Sequence, residues 1–160
     1  DHRLIELLYE ASQAGVPIEI LARGICCLRP GVAGLSETIT VRSIIGRFLE
    51  HGRIYVFANG GEFLSNKNIV TISSADLMPR NLRRRVECFM RLENPTIRKQ
   101  VLHQIMVALL RDEKNAWYLQ PDGSYVHPHT DETSFSCHDY FMSNPSLSGR
   151  GSLAATQDNG

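Results

Sequence analysis

The fold class turns on Pro17-Ile18-Glu19-Ile20-Leu21-Ala22-Arg23-Gly24-Ile25-Cys26-Cys27-Leu28-Arg29-Pro30-Gly31. Pro17 to Ala22 reads as a short buried strand, because the run is largely apolar and is closed by Arg23-Gly24. Gly24, Pro30 and Gly31 then force a loop at the strand's carboxyl end. Upstream, Leu4, Ile5, Leu7, Leu8, Ala11 and Ala14 follow helical spacing, and Gly15 supplies a C-terminal cap. Helix then strand makes an αβ unit, and in open α/β sheets ligands gather at the carboxyl ends of strands. The apolar stripe begins in the first turn after Asp1 and requires a partner surface there, so the chain is expected to start inside a larger unit.

Downstream, a second extended stretch is expected around Ile39 to Val41. Ser43 then predicts the cap of a helix with Ile44, Ile45, Phe48 and Leu49 on one side, which places His51 at a helix-to-strand junction. Arg53 to Phe57 reads as a strand entering a hairpin through Asn59-Gly60-Gly61, with Asn68 to Ser73 as its partner. Arg84 to Met90 alternates like a further strand. Asn94-Pro95 starts a helix that carries Ile97, Val101, Leu102, Ile105, Met106, Leu109 and Leu110. Trp117 to Val126 reads as a small hairpin around Pro121-Asp122-Gly123. The fold class is therefore α/β, a mixed sheet flanked by helices. Residues 1–127 form the expected domain, and 128–160, where periodicity is lost, a mobile C-terminal tail.

A length of 160 residues with 42% hydrophobic content suits one domain with a real core. Lys+Arg and Asp+Glu both number 17, so no overall field favours nucleic acid or an anionic membrane, and anion binding must be local. Cys26, Cys27, Cys88 and Cys137 show no disulfide framework, which suits a reducing, cytoplasmic setting. No apolar run reaches membrane-spanning length and no signal-peptide layout opens the chain, so an anchor is not expected.

Positive charge is densest at Arg80, Arg83, Arg84, Arg85 and Arg91, with Arg23 and Arg29 in the loop after the first strand. Guanidinium groups match phosphate oxygens in planar, bidentate fashion, so a convergent set points to a polyanionic ligand; the alternative is a solvated face. His51 can give or take a proton near neutral pH, although a lone histidine is equally compatible with a surface role. His127, His129, Cys137 and His138 do not match a compact zinc spacing, so no metal ligand is assigned. Cys26-Cys27 could be redox-active, but adjacent cysteines rarely meet disulfide geometry and Ile25 and Leu28 flank them, so packing is the expected role of at least one.

Four ordered strings carry a resemblance: Arg23 to Gly31, Phe48-Leu49-Glu50-His51-Gly52-Arg53-Ile54-Tyr55, Ser73-Ser74-Ala75-Asp76-Leu77-Met78-Pro79-Arg80-Asn81, and Arg84-Arg85-Val86-Glu87. Together they resemble the C-terminal part of the long-chain polyphosphate-synthesising polyphosphate kinase family, from the first helix to about Leu110. The resemblance implies a phospholipase-D-like domain, used twice in such kinases, whose copies meet around an ATP site. It implies transfer of ATP's terminal phosphoryl group to a histidine outside this chain and then to polyphosphate. On matching positions Arg23 holds ATP phosphates, His51 is a phosphate contact or general acid/base, and Arg85 and Glu87 form the family's Arg-x-Glu pair. Arg80 is a further phosphate contact. Mg²⁺ is implied with ligands outside this chain, as are the rest of a longer kinase chain and homo-oligomers as partners, with no nucleic acid. A cytoplasmic location follows, with peripheral attachment to the inner membrane left open. Leu77 stands where the family usually has Trp and Ala58 where an acid is common, and the connector 62–67 is longer than usual. The other readings are a non-catalytic phosphate-binding or assembly module and a phospholipase-D-like phosphodiesterase. The last is disfavoured, because Arg53 stands where that chemistry uses lysine and a second matching motif is absent.

Overall fold

The computed structural model describes residues 1–144, and in it the opening αβ unit forms as read: α1 is His2–Gln13 and β1 is Ile18–Leu21. The Asp1 side chain accepts from the Leu4 backbone N–H and caps α1, while Gly15 leaves the helix with a φ of 82°, a left-handed angle that suits glycine. β1 pairs in parallel with β2 (Ile39–Ile44), and β2 pairs antiparallel with β6 (Ala116–Leu119), which pairs with β7 (Tyr125–Val126). The resulting four-stranded mixed sheet, in the order β1-β2-β6-β7, is the frame of a first compact unit, Asp1–His51 with Asp112–Ser136. Its core is Leu28, Ile39 and Val41, onto which Ile5, Leu8 and Tyr9 of α1 pack. Burying Val41, 1% exposed, contributes on the order of 1.5–3 kcal/mol.

The second unit comprises Gly52–Arg111 and the described residues from Cys137. The hairpin expected around Asn59-Gly60 joins β3 (Ile54–Phe57) to β4 (Ile69–Ser73), with Asn59 and Gly60 both at positive φ. β5 (Phe89–Arg91) completes an antiparallel three-stranded sheet. α2 spans Pro79–Arg84, and the long helical run comprises α3 (Pro95–Gln100), a π-helical stretch Val101–Met106 and α4 (Val107–Leu110). Strand alternation sends Val70 to one face, where it meets Leu92 and Leu102, with Ile54, Val56, Ile72 and Val101 around them.

Several expectations are corrected. Ser43 caps no helix: it lies inside β2, 4% exposed and opposite Trp117, Ile44 ends the strand opposite Ala116, and the Ile45 N–H donates to the Asn115 carbonyl. β-branched Ile39, Val41, Ile44 and Ile45 lose rotamer freedom in a helix, and β2 finds ladder partners on both edges. His51 therefore sits in an irregular connection between β2 and β3. Arg84 ends α2 instead of starting a strand. Pro79 suits the first helical position, Asn81 and Leu82 donate to the Met78 carbonyl, and Arg85 turns extended at φ −114°, ψ 154°. The strands divide between two sheets, of which the four-stranded one is mixed.

Of the segment read as a mobile tail, residues 128–144 carry structure, and 145–160 lie outside the described residues. The Asp131 side chain accepts from Thr133 in a local turn, and Glu113 and Lys114 both donate to the Phe135 carbonyl. α5 (Cys137–Ser143) follows, with Cys137 and His138 buried. Short segments held by polar turns lack the apolar period that the sequence reading relied on. Among the described residues, no helix is long and apolar enough to cross a membrane, and all four cysteines are free thiols.

The long helical run begins where Asn94 accepts from the backbone N–H groups of Thr96 and Ile97 at 3.0 and 3.2 Å. Asn94→Ala should lower stability by about 1 kcal/mol, measured by urea denaturation, and an unchanged midpoint would refute the cap.

Candidate active site

In the second unit, one carboxylate organises the charged residues. The Arg53 guanidinium, on the residue before β3, directs Nε and Nη2 to Asp76 Oδ1 at 3.1 and 2.8 Å. Arg80 Nη2, four residues on from Asp76, lies 3.5 Å from Asp76 Oδ2. Arg80 Nε donates to Asn81 Oδ1 at 3.3 Å, and Asn81 Nδ2 donates to Glu87 Oε1 at 2.7 Å. Ser74 Oγ donates to the other Glu87 oxygen and also accepts from the Cys88 backbone N–H. A continuous polar chain thus runs Arg53, Asp76, Arg80, Asn81, Glu87, Ser74. It rests on the β4–β5 ladder through Ser73, whose hydroxyl donates to the Cys88 carbonyl and accepts from the Ala75 N–H.

The hydrogen bonds from Ser74 and then Asn81 hold the Glu87 carboxyl below the ordinary glutamate range, and Arg85 and Arg53 add charge attraction. Glu87 is therefore a carboxylate at neutral pH, suited to orient a donor and poorly suited to give or take a proton. Because its folded-state pKa is depressed, the stability it contributes is present above the ordinary glutamate value. That contribution is lost as pH falls through the folded value. Arg80, Arg83, Arg84 and Arg85 are all exposed, so their cationic edges can meet an anionic ligand.

The first unit carries the other two expected residues. Arg23 follows β1 at the strand's carboxyl end and is exposed, and His51 is the exposed last residue of that unit's first segment. The loop after Arg23 is fixed by Arg29, whose Nε donates to the Pro121 carbonyl at 2.8 Å and whose N–H donates to Tyr9 Oη at 2.9 Å. Arg29 therefore serves the fold. Loop and hairpin border a shallow, open cavity of about 300 Å3, with Ile25, Cys27, Leu119 and Tyr125 in its lining. Burial pushes the Cys26 thiol pKa up, in keeping with a packing role.

The structure thus joins Arg80 to Glu87 through Asn81 and sets Arg85 beside them, while Arg23 and His51 belong to the first unit. Asp76, Asn81 and Ser74 lay inside the quoted strings, but the sequence reading gave them no role. The available signal was polar residues interrupting Ser73 to Asn81, of which Asn81 is only 4% exposed. Asp76→Ala leaves two guanidinium groups without this carboxylate, the Arg53 side chain being only 17% exposed. It should cost about 2 kcal/mol in chemical denaturation, and a loss near zero would show that the pair is merely solvated.

The model of the polyphosphate kinase C-terminal domain 2 matches residues 1–137. A polyphosphate kinase of Erythrobacter litoralis is 59% identical over 151 residues, which is 94% of this chain and 21% of the relative. One from a Synechocystis species is 55% identical over 126 residues, covering 79% of this chain and 16% of the relative. The crystal structure of polyphosphate kinase from Porphyromonas gingivalis superposes with a TM-score of 0.79 at 37% identity, over 88% of this chain and 21% of that one. The chain therefore spans about a fifth of the length of the proteins it matches. The fold is the α/β, phospholipase-D-like one implied by the resemblance. With the family model covering most of its length, this chain belongs to the polyphosphate kinase family and carries that family's C-terminal domain 2.

Proposed function

We propose that this domain acts inside a whole polyphosphate kinase that moves the terminal phosphoryl group of ATP to polyphosphate through a phosphohistidine carried outside this chain. The observation that supports it most directly is the polar chain from Arg53 to Glu87, which holds guanidinium groups and a carboxylate in register on this family's fold. Phosphoryl transfer demands positioning and neutralisation of charge on the equatorial oxygens more than covalent work by the protein. Arg80 and Arg85 supply fixed positive charge, and Glu87 orients donors around them. Arg23 contacts ATP phosphates, and His51 serves as a phosphate contact or as a general acid/base when the acceptor oxygen attacks.

Mg²⁺ does not fit this network. Asp76 is neutralised by two arginines, and both Glu87 oxygens already accept hydrogen bonds, so neither carboxylate offers the hard, open oxygen that Mg²⁺ requires. Ligands for the ion belong to the remainder of the kinase. Four free thiols suit the reducing cytoplasm in this reading.

On its own this chain should bind polyphosphate in a salt-sensitive manner and synthesise none from ATP. Calorimetric titration with polyphosphate and an assay for its synthesis check both halves, and either absent binding or robust synthesis would overturn the reading. In a whole polyphosphate kinase carrying this domain, His51→Ala should reduce kcat by about 100-fold or more with unfolding unchanged. Wild-type turnover in that variant would remove His51 from the chemistry.

A further inference from the structure

We propose that Asn81 is a positioning residue that ties the Arg80 guanidinium to the Glu87 carboxylate, so that these two groups present themselves to phosphate as one rigid unit. The inference rests on the reading that Arg80 and Glu87 handle phosphate, and it concerns how they are held. Asn81 is 4% exposed within α2, whereas its neighbours Arg80 and Leu82 are exposed. Its amide is used at both ends: Oδ1 accepts from Arg80 Nε at 3.3 Å and Nδ2 donates to Glu87 Oε1 at 2.7 Å. These partners fix the amide's orientation, because the reversed side chain would turn oxygen toward carboxylate and nitrogen toward guanidinium.

An amide of this length serves both partners because it carries an acceptor and a donor on one planar group. An aspartate there keeps the Arg80 contact and repels Glu87, and an alanine abandons both. Ser74 holds the second Glu87 oxygen, so the carboxylate has a donor on each side and a fixed plane. Asp76 restrains Arg80 from the opposite end at 3.5 Å. The flexible arginine side chain is thereby restrained from two directions, which reduces the ordering it must undergo when an anion arrives.

The first test needs no substitution. In the intact chain, the Asn81 side-chain amide signals in 15N–1H spectra should shift with pH in step with Glu87, at a midpoint below that of an ordinary glutamate. Signals that stay constant through the Glu87 titration would overturn the tie. Asn81→Asp, nearly isosteric, should raise the Glu87 carboxyl midpoint by about one pH unit or more, read by 13C chemical shift. An unchanged midpoint in the folded variant also overturns it, and if the variant fails to fold the wild-type titration decides alone. In a whole polyphosphate kinase carrying this domain, the same substitution should lower kcat about 10-fold or more and move the acid limb of the pH profile upward. If the spectroscopic tie holds while both kinetic readouts stay at wild-type values, the phosphate-handling reading of Glu87 fails and the tie survives as structure alone.

Discussion

The second unit depends on the placement of one carboxylate between two arginines. Asp76 follows the end of β4, Arg53 precedes β3 and Arg80 lies in α2, so a single side chain joins the edge of the sheet to the helix beside it. The Arg53–Asp76 pair is largely shielded, with 17% and 23% of the side chains exposed, and a partner removed from such a position leaves a charge with reduced solvation. Asp76 also limits the positive field it helps to build, since it neutralises part of two guanidinium groups while Arg83, Arg84 and Arg85 stay open to solvent.

This arrangement lets a chain with equal numbers of basic and acidic residues carry a locally positive surface. Charge acts over about a Debye length, roughly 8 Å at physiological ionic strength, so a distant surplus of carboxylates matters little at the site. Arginine suits these positions better than lysine because its planar fork directs several N–H groups at once: Arg53 bonds Asp76 through two nitrogens, and Arg80 meets both Asn81 and Asp76.

The parts of the fold that declared themselves in the sequence have short-range causes. Asn94 caps its helix through the next few backbone N–H groups, Asn59-Gly60 supplies the positive φ angles of the β3–β4 turn, and Gly15 does the same after α1. What escaped has long-range causes. Ser43 could have capped a helix on local grounds, and it became a strand residue because β1 and β6 flank β2, a fact contained in no window around residue 43. The site divides in the same way. Arg80, Arg85 and Glu87 could be named from a motif, but Asn81 looked like an ordinary helix residue until its two partners were seen at either end of its amide. Similarly, the polar run around Asp131 gave no period, and its order comes from side-chain bonds to its own backbone and from pairing with Glu113 and Lys114.

The path of the chain through the first unit has a kinetic consequence. β2 is laid against β6, yet all of Gly52–Arg111 belongs to the other unit and lies between them in sequence. The centre of the first sheet is therefore a high-contact-order pairing that must close a large loop. During synthesis, β1 and β2 can meet early, but their sheet keeps an unpaired, apolar edge until Ala116–Leu119 has left the ribosome. The inserted segment, rich in local hairpin and helix contacts, has time to fold in that interval. The first sheet is thus closed only after the whole Gly52–Arg111 segment of the second unit has been made.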